Sequence, residues 1–248
     1  MNKGGALLIA LLITILVASD VYLFDKIDST NREKTIISRV IDGDTIEIED
    51  GRTIRLLNIN SPEKGNIGSE KAAEFLNEIG NKTIEIEIEG LDKYNRVLAR
   101  IYDPSYINLK IVQLGLANKF LVDEKELDNF DDAERFAISN DLGIWKKSKY
   151  YDCIKTKIDK ENEIVSLVNS CNNLNINGFY LKDESRKTYK FQNIVLGSME
   201  GVFLHSGSGT DNQGDLFWDV GDVWNNDRDS LYLFDKNGGI VSYESYGY

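Results

Sequence analysis

Histidine occurs once in the 248 residues, and cysteine and methionine twice each. His205, Cys153 and Cys171 all fall in the C-terminal part, so the N-terminal part offers no imidazole or thiolate to a zinc ion. His205 has no orienting partner in the sequence and reads as a structural residue. Positive charge is also scarce. The 29 Lys and Arg against 41 Asp and Glu leave a net charge of −12, and the deficit is the same in residues 1 to 149 as in 150 to 248. Neither part is a magnet for nucleic acid, which excludes a tight, processive binder whose affinity comes from neutralising phosphates. An enzyme with a locally positive site is not excluded. There is no internal repeat and no low-complexity tract.

Long apolar runs are absent except at the N terminus. One early lysine, Lys3, precedes an uncharged stretch that lasts until Asp20, the pattern of an export segment. The run falls short of the roughly 20 residues that span a bilayer, but Val21 to Phe24 extend it. Residues 1–24 are therefore read as a cleaved signal peptide or a retained membrane anchor, which makes the chain secreted or tethered outside the cell. No lipobox cysteine is present, which argues against a lipoprotein. Polar residues 25–35 read as a linker, 36–149 as a first domain and 150–248 as a second.

The richest stretch is 40–63. Asp42 and Asp44 are separated by one glycine and lead into the alternating run Thr45-Ile46-Glu47-Ile48-Glu49. Asp50-Gly51 then predicts a two-residue hairpin turn with both positions at positive φ, and a return strand from Arg52 to Ile59. Asn60-Ser61-Pro62-Glu63 closes the unit, so carboxylates, an amide and Arg55 collect at its ends. Oxygen ligands from Asp44, Asn60 and Glu63 suit a hard cation, Ca²⁺ or Mg²⁺. Arg55 offers a planar fork to a phosphate. Further on, Ser69 predicts the N-cap of a helix carrying Ala72, Phe75, Leu76 and Ile79, and Ile84, Ile86 and Ile88 predict the core face of a strand. Two more helices are expected, at about 107–114 and 126–142, each ended by a glycine.

Asp-Gly-Asp-Thr, Ile-Arg-Leu-Leu, Asn-Ser-Pro-Glu, then Asp92-Lys93-Tyr94-Asn95-Arg96 and Gly115-Leu116-Ala117, resemble the thermonuclease (staphylococcal nuclease-like) family in kind and order over about residues 36–147. The resemblance implies an OB-fold, a five-stranded barrel with three helices, and hydrolysis of DNA or RNA phosphodiesters by in-line attack of water. It implies one Ca²⁺ and two arginines holding the phosphate, where charge grows in the transition state. Carried over by motif, Asp44, Asn60 and the Ser61 carbonyl fall on metal positions, with Asp42 just outside. Glu63 falls on the general base, Arg55 and Arg96 on the phosphate pair, and Lys93 and Tyr94 on substrate contacts. The sequence departs from the family where Asn60 replaces an acidic ligand, where the loop after Glu63 is short, and where Leu121 and Asp123 replace two tyrosines. Asp123 would repel phosphate. DNA or RNA, endo or exo, stays open.

From residue 150 onward, short strands, turns and aromatics resemble the lamin-tail domain, carried by Asn177 to Asp183, Tyr189 to Phe191, Val202 to Gly207 and Val223 to Leu233. This implies an immunoglobulin-like β-sandwich, in keeping with turn signals at intervals of roughly ten residues. Its ligand is unknown, and nothing points to an oligomer. Asp219, Asp222, Asp227 and Asp229 read as solvated turns. The tryptophans and the C-terminal tyrosines are read as a binding face or as core and edge packing. In an exported chain, Cys153 and Cys171 are expected to pair, closing a loop of about 18 residues with a contribution of roughly 3 kcal/mol; two separate buried thiols are the alternative. Two readings compete with an enzyme. One is a catalytically silent barrel that holds single strands; the other is a surface protein whose second domain is the functional end.

Overall fold

The computed structural model describes residues 32–248. The apolar run read as an export segment or anchor lies outside the described residues, as does most of the linker. Among the described residues no helix is long and apolar enough to cross a membrane. The first domain runs β1 (Glu33–Val40), β2 (Thr45–Ile48), β3 (Thr53–Leu56), β4 (Ile59–Asn60), α1 (Ser69–Glu78), β5 (Thr83–Leu91), β6 (Val97–Asp103), β7 (Ser105–Tyr106), α2 (Ile107–Gln113), β8 (Asn118–Lys119) and α3 (Leu127–Ser139). The sheet order is β3-β2-β1-β5-β6, and a parallel β3–β6 pairing, from Ile54 beside Val97 to Leu56 beside Ala99, closes a five-stranded barrel. Isoleucines of β1, β2, β3 and β5 fill it, and Leu76 of α1, Ile111 and Val112 of α2 and Phe130 of α3 pack against them. This is the expected OB-fold.

The local differences have physical reasons. β1 takes in residues 33–35 of the stretch read as linker, because Lys34 and Thr35 pair with Glu85 and Ile84 of β5. The hairpin turn has three residues, Glu49 to Gly51, and only Gly51 takes positive φ, at 87°. Its amide donates to the Ile48 carbonyl at 2.9 Å and the Ile48 amide to Arg52 at 3.1 Å, a turn followed by a glycine bulge. Ser69 is the first helical residue of α1, and the capping place belongs to Gly68 at φ 93°. Ile88 is 39% exposed, because the β5–β6 register shifts between Ile88 and Gly90 and turns it out of the barrel.

One difference builds the site. The return strand expected from Arg52 to Ile59 stops at Leu56, and Asn58 turns the chain at φ 65°. Ile59 and Asn60 then pair with Lys119 and Asn118 of β8 instead of continuing the hairpin. The break swings Asn60, Ser61 and Glu63 back toward Asp44.

The second domain runs β9 (Ile154–Asp159), β10 (Ile164–Asn169), β11 (Leu174–Asn175), β12 (Tyr180–Lys182), β13 (Thr188–Lys190), β14 (Val195–Leu196), β15 (Gly201–His205), β16 (Asp215–Phe217), β17 (Asp229–Phe234) and β18 (Ile240–Tyr246). Two four-stranded sheets, β16-β15-β10-β9 and β13-β12-β17-β18, form the immunoglobulin-like sandwich. Between them pack Val165, Leu167, Leu181, Phe191, Leu204, Leu233, Trp218 and Trp224. The Cys153 and Cys171 sulfurs are bonded at 2.13 Å, tying the start of β9 to the turn after β10.

The two domains share a buried seam. Trp145, at the end of the first domain, packs edge-on against Tyr243 with ring centres 5.0 Å apart, in a cluster with Ala137, Tyr232 and Ile240. Beside it Glu134 of α3 is buried, accepting from the Lys119 backbone N–H at 3.1 Å and the Tyr243 hydroxyl at 2.9 Å, with the Lys119 ammonium 3.3 Å away. Of the C-terminal tyrosines, Tyr243 and Tyr248 serve the seam, while Tyr246 donates to the Asn225 carbonyl within the second domain. Tyr248 lies under the Lys119 ammonium and donates to Glu184 at 2.6 Å.

Candidate active site

Asp44 stands on the bend before β2, not on an extended strand. The Ile41 and Asp42 amides both donate to Thr45 O, and the Asp44 amide donates to Asp42 Oδ1 at 3.0 Å. Asp42 thus shapes the turn while Asp44 points inward, and both carboxylates line the same cavity, close enough that the Asp44 charge adds to burial in raising Asp42. Gly43 is required there. A Cβ would come within 2.3 Å of Ala72 Cβ and 2.8 Å of Ser61 Oγ, so only glycine lets α1 and the Ser61 loop close on the bend.

The Asp44 carboxylate is 2% exposed, and both oxygens are engaged. Oδ1 accepts from Thr45 Oγ1 at 3.0 Å and lies 3.3 Å from Arg55 Nε. Oδ2 accepts from the Ser61 amide at 2.8 Å, the Ser61 hydroxyl at 3.1 Å and Arg186 Nη2 at 2.8 Å. Burial by itself would raise this carboxyl, but the Arg55 and Arg186 guanidiniums and the Ser61 N–H outweigh it and hold Asp44 below its ordinary value. Arg55 is also buried, donating to the carbonyls of Leu56 at 2.5 Å and Ile59 at 2.9 Å and to Asn60 Oδ1 at 3.2 Å.

Asp42, Asp44, Arg55, Asn60, Glu63, Lys93, Tyr94 and Arg96 all line one open cavity of about 850 Å³. Ser61 sits behind its floor, tied to Asp44. Arg96 is anchored through Nε to Asp92 Oδ2 at 2.7 Å, which leaves its terminal nitrogens free of that carboxylate. Tyr94 is 68% exposed at the rim, with the Lys93 ammonium 5.0 Å and the Arg96 guanidinium 5.5 Å from its ring.

Three features escaped sequence reasoning. Phe120 lines the cavity beside Leu121 and supplies an aromatic face near the place of the missing tyrosines. Asp123 is not loose near the cavity; Arg100 holds it at 2.7 Å, together with Glu89 at 2.7 Å and Glu126 at 3.0 Å. The third feature is Arg186, from the turn between β12 and β13 of the second domain. It pairs with Asp44 and with Glu63 at once. Sequence separation hid it, since Arg186 and Asp44 are 142 positions apart.

That turn rests on buried acids. Burial pushes Asp183 up to about 6 and Glu184 up to about 7. Asp229, read as solvated, is fully buried and receives the Glu184 amide at 3.3 Å. Between the ordinary value of 4.5 and about 7, the folded protein keeps a proton on Glu184 that the unfolded chain has lost. Stability therefore falls as pH rises through that window and levels off above it. The share belonging to Glu184 is on the order of 2–3 kcal/mol, at about 1.4 per unit. Urea unfolding at pH 5 and pH 8 is expected to show this loss in the unmutated chain and a flatter profile in Glu184→Gln. Equal slopes would refute it.

The implied calcium set does not fit as built. Among the described residues no group of three His, Cys, Asp or Glu side chains could hold a metal ion. Asp44 has no oxygen to spare, Asn60 Oδ1 is held by Arg55, and a guanidinium fills the place beside Asp44 where a cation would bind. Of the ligands read from the sequence, Asn60 is neutral and Asp44 and Glu63 are both paired with Arg186, a poor set for Ca²⁺ or Mg²⁺.

The class that fold and site define is a closed OB barrel with acids and guanidiniums gathered in one cavity at its β2–β4 end. Residues 53–147 match the family model described as "Staphylococcal nuclease homologue", and residues 149–248 match "Lamin Tail Domain". The chain is similar to the "Thermonuclease" of Staphylococcus intermedius, 31% identical over 164 residues, which cover 58% of this chain and 96% of that protein. It is also similar to two proteins named "Uncharacterized endonuclease", from Escherichia coli and Escherichia coli O157:H7. Each is 34% identical over 87 residues, covering 33% of this chain and 57% of the relative. The chain thus spans little more than half the length of these two relatives. It belongs to the staphylococcal nuclease homologue family, with a lamin tail domain joined to the nuclease-like barrel.

Proposed function

We propose that the chain is a nuclease that hydrolyses phosphodiester bonds of DNA or RNA in the barrel cavity. The observation that carries this reading is the convergence of Arg55, Glu63, Lys93, Tyr94 and Arg96 on that one cavity. Its open mouth admits a strand, and Tyr94 and Phe120 offer faces for bases. Arg96 and Arg55 receive the scissile phosphate. Glu63 takes a proton from the attacking water while the water oxygen bonds to phosphorus, the bond to the leaving sugar oxygen breaks, and that sugar oxygen is protonated from solvent. The guanidiniums are placed before the reaction, so the growing charge meets fixed donors. Outside the cell is the compartment we propose, in keeping with the apolar N terminus and the paired cysteines. The lamin tail domain serves to position the enzyme and also completes its site.

The test is release of acid-soluble fragments from single-stranded DNA and from RNA by the full chain, in Ca²⁺, Mg²⁺ or chelator. Glu63→Ala and Arg96→Ala are each expected to slow release by about 100-fold or more. Both residues are partly exposed, so the variants should stay folded. A folded, unmutated chain that cuts neither substrate under any condition would make the barrel a binding module.

A further inference from the structure

We propose that Arg186 is the cation of this site: the second domain inserts it into the barrel cavity, where it takes the place of a divalent metal. The proposal rests on the nuclease reading and adds the source of positive charge. Arg186 Nη2 donates to Asp44 Oδ2 at 2.8 Å, and Nη1 donates to Glu63 Oε1. These are the carboxylates that flank the phosphate position. A guanidinium carries five N–H donors. After one bond from each terminal nitrogen, both keep a second N–H, and the group lines the same cavity as Arg55, Lys93 and Arg96.

The local charge already balances. The cavity lining holds four acids, Asp42, Asp44, Glu63 and Asp92, and four bases, Arg55, Lys93, Arg96 and Arg186, with Asp44 and Glu63 met by Arg55 and Arg186 and Arg96 by Asp92. A divalent ion would have to displace Arg186 from Asp44 and Glu63 and would still face the Arg55 and Arg96 guanidiniums. Asn60 belongs to the same arrangement. Its Nδ2 donates to the Glu184 carbonyl at 2.8 Å, two residues before Arg186. An aspartate at position 60 would have no proton for that carbonyl. The neutral residue that weakens a metal site is thus the one that docks the turn carrying the arginine.

The turn is built to present that side chain. Arg186 itself takes a left-handed φ of 77°, and the turn is held by the Lys187 amide donating to Asp183 Oδ1 at 2.6 Å.

Activity of the full chain on single-stranded DNA in Ca²⁺ and in excess chelator is expected to agree within about 3-fold, and Arg186→Ala to lose about 100-fold or more. Arg186→Lys, with a single point charge for two carboxylates, should fall between. Calorimetric titration with Ca²⁺ alone is expected to show no binding to the unmutated chain and binding to the Asn60→Asp/Arg186→Ala double variant. Three results would overturn the proposal: cleavage abolished by chelator, saturable Ca²⁺ binding by the unmutated chain, or an Arg186→Ala variant that cuts as fast as or faster than its parent. If nothing is cut under any condition, the nuclease reading fails by itself. The calcium titration then decides on Arg186, in favour if only the double variant binds and against if the unmutated chain does.

Discussion

Asp44→Ala is expected to remove hydrolysis by two to three decades or more and to cost about 3–5 kcal/mol of stability, because it leaves a buried guanidinium without its carboxylate. Arg55 is 9% exposed, and its other partners are neutral oxygens, which cannot balance its charge. The Ser61 amide and hydroxyl lose their acceptor in the same step. Asp44→Asn separates the two effects. It keeps an oxygen for Ser61 and the shape of the bend, so its stability cost should be smaller, about 1–3 kcal/mol. Its activity should remain as low as that of the alanine variant. The stability that Asp44 contributes is present at neutral pH and is lost as pH falls below the ordinary carboxylate value of 3.8 and through the lowered folded one. A folded Asp44→Asn protein that cleaves within a few-fold of the parent would refute the assignment.

Lys119→Met should weaken the molecule through the seam between the domains. Lys119 and Glu134 are 2% and 1% exposed, and Asp131 completes the ion cluster. Removing the ammonium strands Glu134 between α3 and β18, where burial already raises its carboxyl and the Lys119 charge is the main counterweight. The expected cost is about 3–5 kcal/mol by urea unfolding. The double variant Lys119→Met/Glu134→Gln should recover much of it, since the amide removes the stranded charge and keeps an acceptor for the Lys119 N–H or the Tyr243 hydroxyl. Equal losses in the single and double variants would mean that the pair is not coupled. The single variant should also lower nuclease activity in proportion to undocking, because Arg186 reaches Asp44 only while the second domain is seated.

Much was legible in the residue pattern. The alternation of Ile46 and Ile48 against Glu47, and of Ile84 and Ile86 against Glu85, marks half-buried strands, and a period of two follows from the backbone of a strand. The acidic and arginine motifs were legible because Asp44 and Arg55 belong to one hairpin, while Asn60 and Glu63 reach the same cavity only through the break at Asn58. Besides Arg186, the break at Asn58, the exposure of Ile88, the Arg100 cluster and the buried Asp229 needed the tertiary structure.

The sequence by itself determined a barrel of alternating strands, a sandwich behind it, and a constellation of acids and arginines suited to a phosphate. Only the tertiary structure decided what cation completes that constellation. Short-range pattern reports what neighbouring residues do to one another, whereas Arg186 meets Asp44 across 142 residues, through the packing of one domain on another.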